Sequence, residues 1–186
     1  MKTTVRIFML VILTASLSSC EMISGWFDVE IDTTIEGELD ILTDATELKS
    51  TNDHGFNASG TIQVMNDDLV EYEDLIDAIR AKSVSIEVSS VDSAGAPIKG
   101  VIILADTKFG ISNPNADFIW ELGSDWPIEP GYIIDLPAES YSVLNQILNE
   151  YEKHPVTISA DGTCNNGNID IVLNYGIKVK VESSPL

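Results

Sequence analysis

The longest regular pattern in the chain is an alternation near its beginning. From Phe27 to Ile41, the positions Val29, Ile31, Thr33, Ile35, Gly37, Leu39 and Ile41 share one parity, and Glu30, Asp32, Thr34, Glu36, Glu38 and Asp40 share the other. Successive side chains of a strand point to opposite faces, so a period of two predicts one buried face and one face of carboxylates. Gly37 predicts a bulge or bend in that strand. Near the other end, Ile169 to Val181 alternates again through Ile177, Val179 and Val181. Two long strands at opposite ends of the chain are expected to pair at the centre of the fold.

The segments between them read as shorter elements. Asp44 to Ser59 is polar, contains Asn52-Asp53-His54-Gly55, and reads as loop. Gly60 to Met65 reads as a short strand. Asn66 and Asp67 can cap a helix whose apolar stripe is Leu69, Tyr72, Leu75, Ile76 and Ile79. Val84, Ile86 and Val88 alternate within a strand over Ser83–Val91, and Ser93-Ala94-Gly95-Ala96-Pro97 reads as a turn. Ile98 to Ala105 is a strand, and Asp106 to Asn115 is loop. Asp117–Leu122 and Tyr132–Leu136 are strands flanking a Gly/Pro-rich connection that holds Trp126. After Pro137, Tyr141, Leu144, Ile147, Leu148 and Tyr151 mark a second helix, ended by His154-Pro155. Val156–Ala160 opens the final pair of strands. About eight strands with two short helices predict a mainly β fold, a β-sandwich or open barrel, as one domain over residues 27–186.

The first twenty residues follow a different grammar. Lys2 and Arg6 form a basic start, Ile7 to Leu13 is an uninterrupted apolar run, and small or weakly polar residues follow. This is the build of a secretory signal peptide, and the run is much shorter than the roughly 18–20 residues that span a bilayer. Leu17-Ser18-Ser19-Cys20 resembles the lipobox of bacterial lipoproteins. The resemblance implies cleavage before Cys20, diacylglycerol on its thiol and an acyl chain on the new amino group. Residues 1–19 are then the signal and 20–26 a lipidated N-terminus with a short tether. Glu21, where an Asp would disfavour the outer membrane, implies an outer-membrane destination. The face of that membrane is left open, since Met22-Ile23-Ser24-Gly25 is not the acidic run of surface-exported lipoproteins. Trp26 and Phe27 are either interfacial or the first core residues. In layout, from lipobox through the alternating first strand and Val84-Ser85-Ile86-Glu87-Val88 to the long final strand, the chain resembles the small uncharacterised β-rich lipoproteins of Gram-negative, gut-type bacteria. That family brings no known activity.

Charge narrows the partners. Lys2 and Arg6 are the only charged residues before Cys20, so residues 20–186 carry eight basic and thirty acidic side chains, a net charge of −22. Such a field repels phosphate and excludes nucleic acid as an expected partner. Of the two cysteines, Cys20 is used by the lipid, and Cys164 is left without a disulfide partner.

Catalytic motifs are not found. His54 and His154 are the only histidines and lie in no zinc-ligand spacing. No Gly-x-Ser-x-Gly, Walker or dinucleotide glycine pattern occurs. Paired carboxylates could serve a hydrolase, but among thirty acids no pair stands out. Asp161 to Asp170 places oxygen ligands at alternate positions, as calcium loops do. Its glycine, Gly167, falls one place late, and Val172 stands where the bidentate Glu belongs. A tight Asn-Gly hairpin turn is the better reading there, with no cofactor expected beyond the lipid on Cys20. Trp120, Trp126 and Tyr132 are the candidate binding residues, because exposed aromatics stack on sugars or anchor protein partners. Trp126, flanked by Asp125 and Pro127, is the one expected to be exposed. The functional expectation is a non-enzymatic, membrane-anchored binding or envelope-assembly module. A glycan-binding accessory using the three aromatics and a fimbrial or adhesin-type subunit are the alternatives.

Overall fold

The structure, a computed structural model, describes residues 30–43 and 53–183. The signal segment, Cys20, the tether with Trp26 and Phe27, and residues 44–52 lie outside the described residues.

Two antiparallel sheets pack face to face in a β-sandwich. The first is built on the two long terminal strands. β1 (Glu30–Leu42) pairs with β11 (Asp170–Ser183) over thirteen positions, from Glu30 opposite Glu182 to Leu42 opposite Asp170. β3 (Ile76–Ser93) covers the other edge of β11. β4 (Ala96–Pro97) and β9 (Ile133–Asp135) then pair with the outer edge of β3, giving five strands. The second sheet is centred on β10 (Val156–Cys164). β2 (His54–Ile62) lies along one edge of β10, and β6 (Lys108–Asn113) and β5 (Val101–Ile103) lie along the other. β7 (Ala116–Glu121) and β8 (Trp126–Ile128) complete its six strands.

The parity expected of β1 and β11 is the parity observed. Ile35, Leu39, Ile41, Ile171, Leu173, Ile177, Val179 and Val181 are buried between the sheets, and Asp32, Glu36, Glu38 and Asp40 are exposed. Tyr175 also points inward. Its hydroxyl donates to the Ser159 carbonyl of β10 at 2.8 Å, tying one sheet to the other, and burial pushes its pKa far above the ordinary tyrosine range. At Gly37 the chains of β1 and β2 come too close for a side chain: an added methyl would overlap the Ile62 side chain.

Three readings are corrected. The first is the helix over Leu69–Ile79, which shrinks to one turn, α1 (Asp67–Val70), and a 3-10 turn at Glu73–Leu75. Asn66 does cap α1: its side-chain oxygen accepts from the Asp68 and Leu69 amides, each at 3.1 Å. From Ile76 onward the residues join β3 instead. Asp77, Lys82 and Ser89 have no partner in the β11 register, and each such bulge reverses the parity of β3. Ile79 and Ala81, then Val84, Ile86 and Val88, then Val91 are therefore buried in turn, a pattern no single period describes. The second correction is β2. Asn57, Ser59 and Thr61 face solvent, and Ala58 and Gly60 alternate with Phe56 and Ile62 inside, so the strand lacks a visible apolar stripe. It is held by a nine-residue register with β10. The third is β6, where Phe109 and Ile111 are buried but Gly110 and Ser112 reduce the contrast.

The second helix is found at α2 (Ser142–Asn149), with Leu144, Ile147 and Leu148 fully buried. It also closes a sheet edge. Asn149 accepts from the Ile79 amide at 2.8 Å and donates to the Ile79 carbonyl at 2.9 Å, and Asn145 accepts from the Ala81 amide at 2.7 Å. Two side-chain amides one helical turn apart thus replace a neighbouring strand along β3. Asn149→Ala is expected to lower stability by about 1–3 kcal/mol, because it leaves the Ile79 backbone groups without partners. Urea unfolding measures the loss, and a change below about 0.5 kcal/mol contradicts this edge-sealing role.

Candidate functional site

The outward face of the five-stranded sheet holds the candidate site. β1, β11 and β3 place Glu36, Gly176 and Ser85 in one cross-strand row and Glu38, Asn174 and Glu87 in the next. β9 extends these rows with Asp135 and Ile133. Gly176 contributes no side chain at the centre of its row, so the surface dips there. The result is an open depression of about 500 Å³, walled by Thr34, Glu36, Glu38, Ser85, Glu87 and Ile133. Ile133 is 57% exposed on its rim. Glu36 and Glu38 stand on β1 and Glu87 on β3, in fixed register and all solvent-facing. Such a surface can hydrogen-bond or attract a hydrated, cationic or hydroxyl-rich group, and it does not enclose a reactant.

Farther along the same face the charge changes sign. Arg80, Lys82, Lys178 and Lys180 lie toward the Glu30 end of the sheet. Arg80 donates to Glu182 at 2.7 Å, which holds the Glu182 carboxyl below its ordinary range. Both partners are well exposed, where ion pairs contribute little to stability.

The three candidate aromatics are not brought together. Trp126 was expected to be exposed and is only 4% exposed. It begins β8, alternation turns it inward with Ile128, and its ring meets Phe109 edge-on at 6.0 Å. Its polar neighbours mark a break in the ladder rather than a surface loop: Asp125 accepts from the Ala105 amide at 2.9 Å, where β5 gives way to β6. Trp120 is partly buried and stacked on Phe109 at 5.9 Å. Tyr132 alone is open to solvent, at 52%. It precedes Ile133 by one residue, on the opposite parity from the residue that lines the depression.

The Asn-Gly segment also differs from its expected form. β10 and β11 belong to different sheets, so residues 165–169 turn a corner between sheets and do not close a hairpin. Their polar groups are used in that corner. Asn165 accepts from the Ile102 amide at 2.8 Å and donates to the Gly100 carbonyl at 3.0 Å. Thr43 exchanges bonds with the corner's far end: its amide donates to the Ile169 carbonyl at 3.0 Å, and its carbonyl accepts from the Asn168 amide at 3.1 Å. The Cys164 thiol is fully buried, donates to the Asn166 carbonyl at 2.9 Å, and burial pushes its pKa up. A protonated, enclosed thiol is not a nucleophile. Among the described residues, no group of three or more His, Cys, Asp or Glu is arranged to hold a metal ion.

No family model matches the chain, and no curated protein matches it. Solved chains from Desmodium yellow mottle tymovirus and turnip yellow mosaic virus are similar over 86% of this chain and 85% and 96% of their own. Each is 12% identical, with TM-scores of 0.33 and 0.36. Likeness at this level carries no argument about function.

Proposed function

We propose that the chain is a non-enzymatic binding module of the bacterial cell envelope, anchored in the outer membrane by lipid on Cys20. It offers the outward face of its five-stranded sheet to a protein partner. The observation that carries the anchor is Leu17-Ser18-Ser19-Cys20 placed directly after an apolar run too short to span a bilayer. The observation that favours this face is the depression at Gly176, walled by carboxylates from β1 and β3 with an exposed Ile133 at its rim. Interfaces combine an apolar anchor with a charged surround in this way.

A salt wash tests the anchored state. Charge-driven adsorption is screened within about 10 Å at 0.1 M salt and more steeply above it, whereas each buried acyl methylene contributes about 0.8 kcal/mol regardless of salt. The full chain in a diderm host is expected to stay with the membrane pellet through a molar salt wash and to leave it only with detergent. Release by salt alone contradicts the proposal.

A further inference from the structure

The strands of the first sheet define two poles. Glu30, Ser183 and Ile76 lie at one, since Glu30 is opposite Glu182 and Ser183 is opposite Ile76. The segment from Asp67 to Leu75 is tied to this pole, with Thr33 donating to Asp68 at 2.9 Å and Asn66 donating to the Thr34 carbonyl at 3.0 Å. The β3–β4 turn and the 165–169 corner lie at the other, where Ser93 donates to the Asn168 carbonyl at 3.1 Å. Thirteen residues of β1 separate the poles, about 43 Å at 3.3 Å per residue. Ten residues lead from Cys20 to Glu30, a reach of at most about 36 Å.

Charge and polarity decide how a domain on such a tether sits. Its cations on the first sheet, Arg80, Lys82, Lys178 and Lys180, all lie in the half nearer Glu30, and Glu36, Glu38, Asp40 and Glu87 lie beyond them. Laying that face on anionic lipid would press those carboxylates against phosphate. The outward face of the second sheet presents Ser59, Thr61, Ser112, Thr157 and Ser159. Ile119 on β7 shares that face at 61% exposure, but it stands between the exposed Asp117 and Glu121, and one isoleucine among hydroxyls and carboxylates buries too little apolar area to hold the face down. The exposed acids of α1 and its surroundings, among them Asp67, Asp68 and Glu71, keep the Glu30 pole from docking flush.

We infer that the domain stands on its tether with its strands along the membrane normal, the Glu30–Ser183 pole toward the lipid and the β3–β4 turn farthest from it. This rests on the proposed anchor at Cys20. Gly176 is six residues from Glu182 along β11, so the depression sits about 20 Å above the lower pole. It opens parallel to the membrane, and a partner meets it from the side, within the same layer of the envelope.

Energy transfer tests the orientation. The full acylated chain is reconstituted in vesicles of anionic phospholipid carrying an acceptor-labelled headgroup. A donor is placed by Asp77→Cys at the lower pole or by Ala96→Cys at the upper one; both positions are exposed, and the native Cys164 thiol is buried. Transfer from position 77 is expected to exceed transfer from position 96 several-fold. Equal or reversed transfer, in protein that floats with the vesicles and carries lipid on Cys20, overturns the orientation while leaving the anchor intact. Protein that lacks lipid on Cys20 and does not float removes the anchor, and the inference falls with it.

Discussion

Ile177→Ala is expected to destabilise the domain by about 3 kcal/mol, within the range of about 2–5 kcal/mol for large-to-Ala changes in a core. Ile177 lies on the central strand of its sheet, opposite Ile35 on one side and Val84 on the other, and all three are at most 1% exposed. The truncation removes three buried carbons where neither neighbouring strand can move in to fill the gap, because each is fixed by its own ladder. For a domain of this size, the loss corresponds to a fall in Tm of roughly 10 °C. Lys178→Ala, one residue on and facing solvent, is expected to change stability by less than about 0.5 kcal/mol. Equivalent losses at 177 and 178 would mean a different register, since a slip of one residue exchanges the faces of the whole strand. Chemical denaturation of both variants measures the contrast.

Cys20→Ala is expected to abolish the lipid anchor completely. The thioether needs the thiol, and no other side chain near the end of the apolar run can supply one, because Cys164 is the only other cysteine and is buried in the fold. No helix among the described residues is long and apolar enough to cross a bilayer. With its net charge of −22, the chain from Cys20 onward is also repelled by anionic lipid. The variant is expected to be recovered in the soluble fraction with an intact fold, since position 20 lies ten residues before β1.

How far the fold could be read from the sequence depended on how cleanly each strand alternates. β1 and β11 keep one parity throughout, so their burial and their pairing followed from the sequence. β3 could not be read in full: three bulges reverse its parity, and its first residues also fit a helical stripe, so the pairing with β11 decides between them. β2 and β6 carry Gly, Asn and Ser at positions where the sheet provides neighbours but the sequence provides no contrast. The site was less legible still. Its carboxylates were visible as a ladder on β1, but their meeting with Glu87 and the dip at Gly176 arise only when β1, β11 and β3 lie side by side. Trp126 misled for a definite reason. Polar and breaker residues around an aromatic signal either an exposed loop or an interrupted strand, and here Asp125 is spent on the Ala105 amide at the interruption.

The central claim is that Cys20 becomes the acylated first residue of the mature protein. The mass of the N-terminal peptide of protein purified from membranes, compared with metabolic labelling by palmitate in wild type and Cys20→Ala, tests it most directly. The predicted result is a peptide beginning at Cys20 that carries a thioether-linked diacylglycerol and an amide-linked acyl chain, with label in the wild type and none in the variant. An unmodified Cys20 in the mature chain, or label that persists in Cys20→Ala, would contradict it.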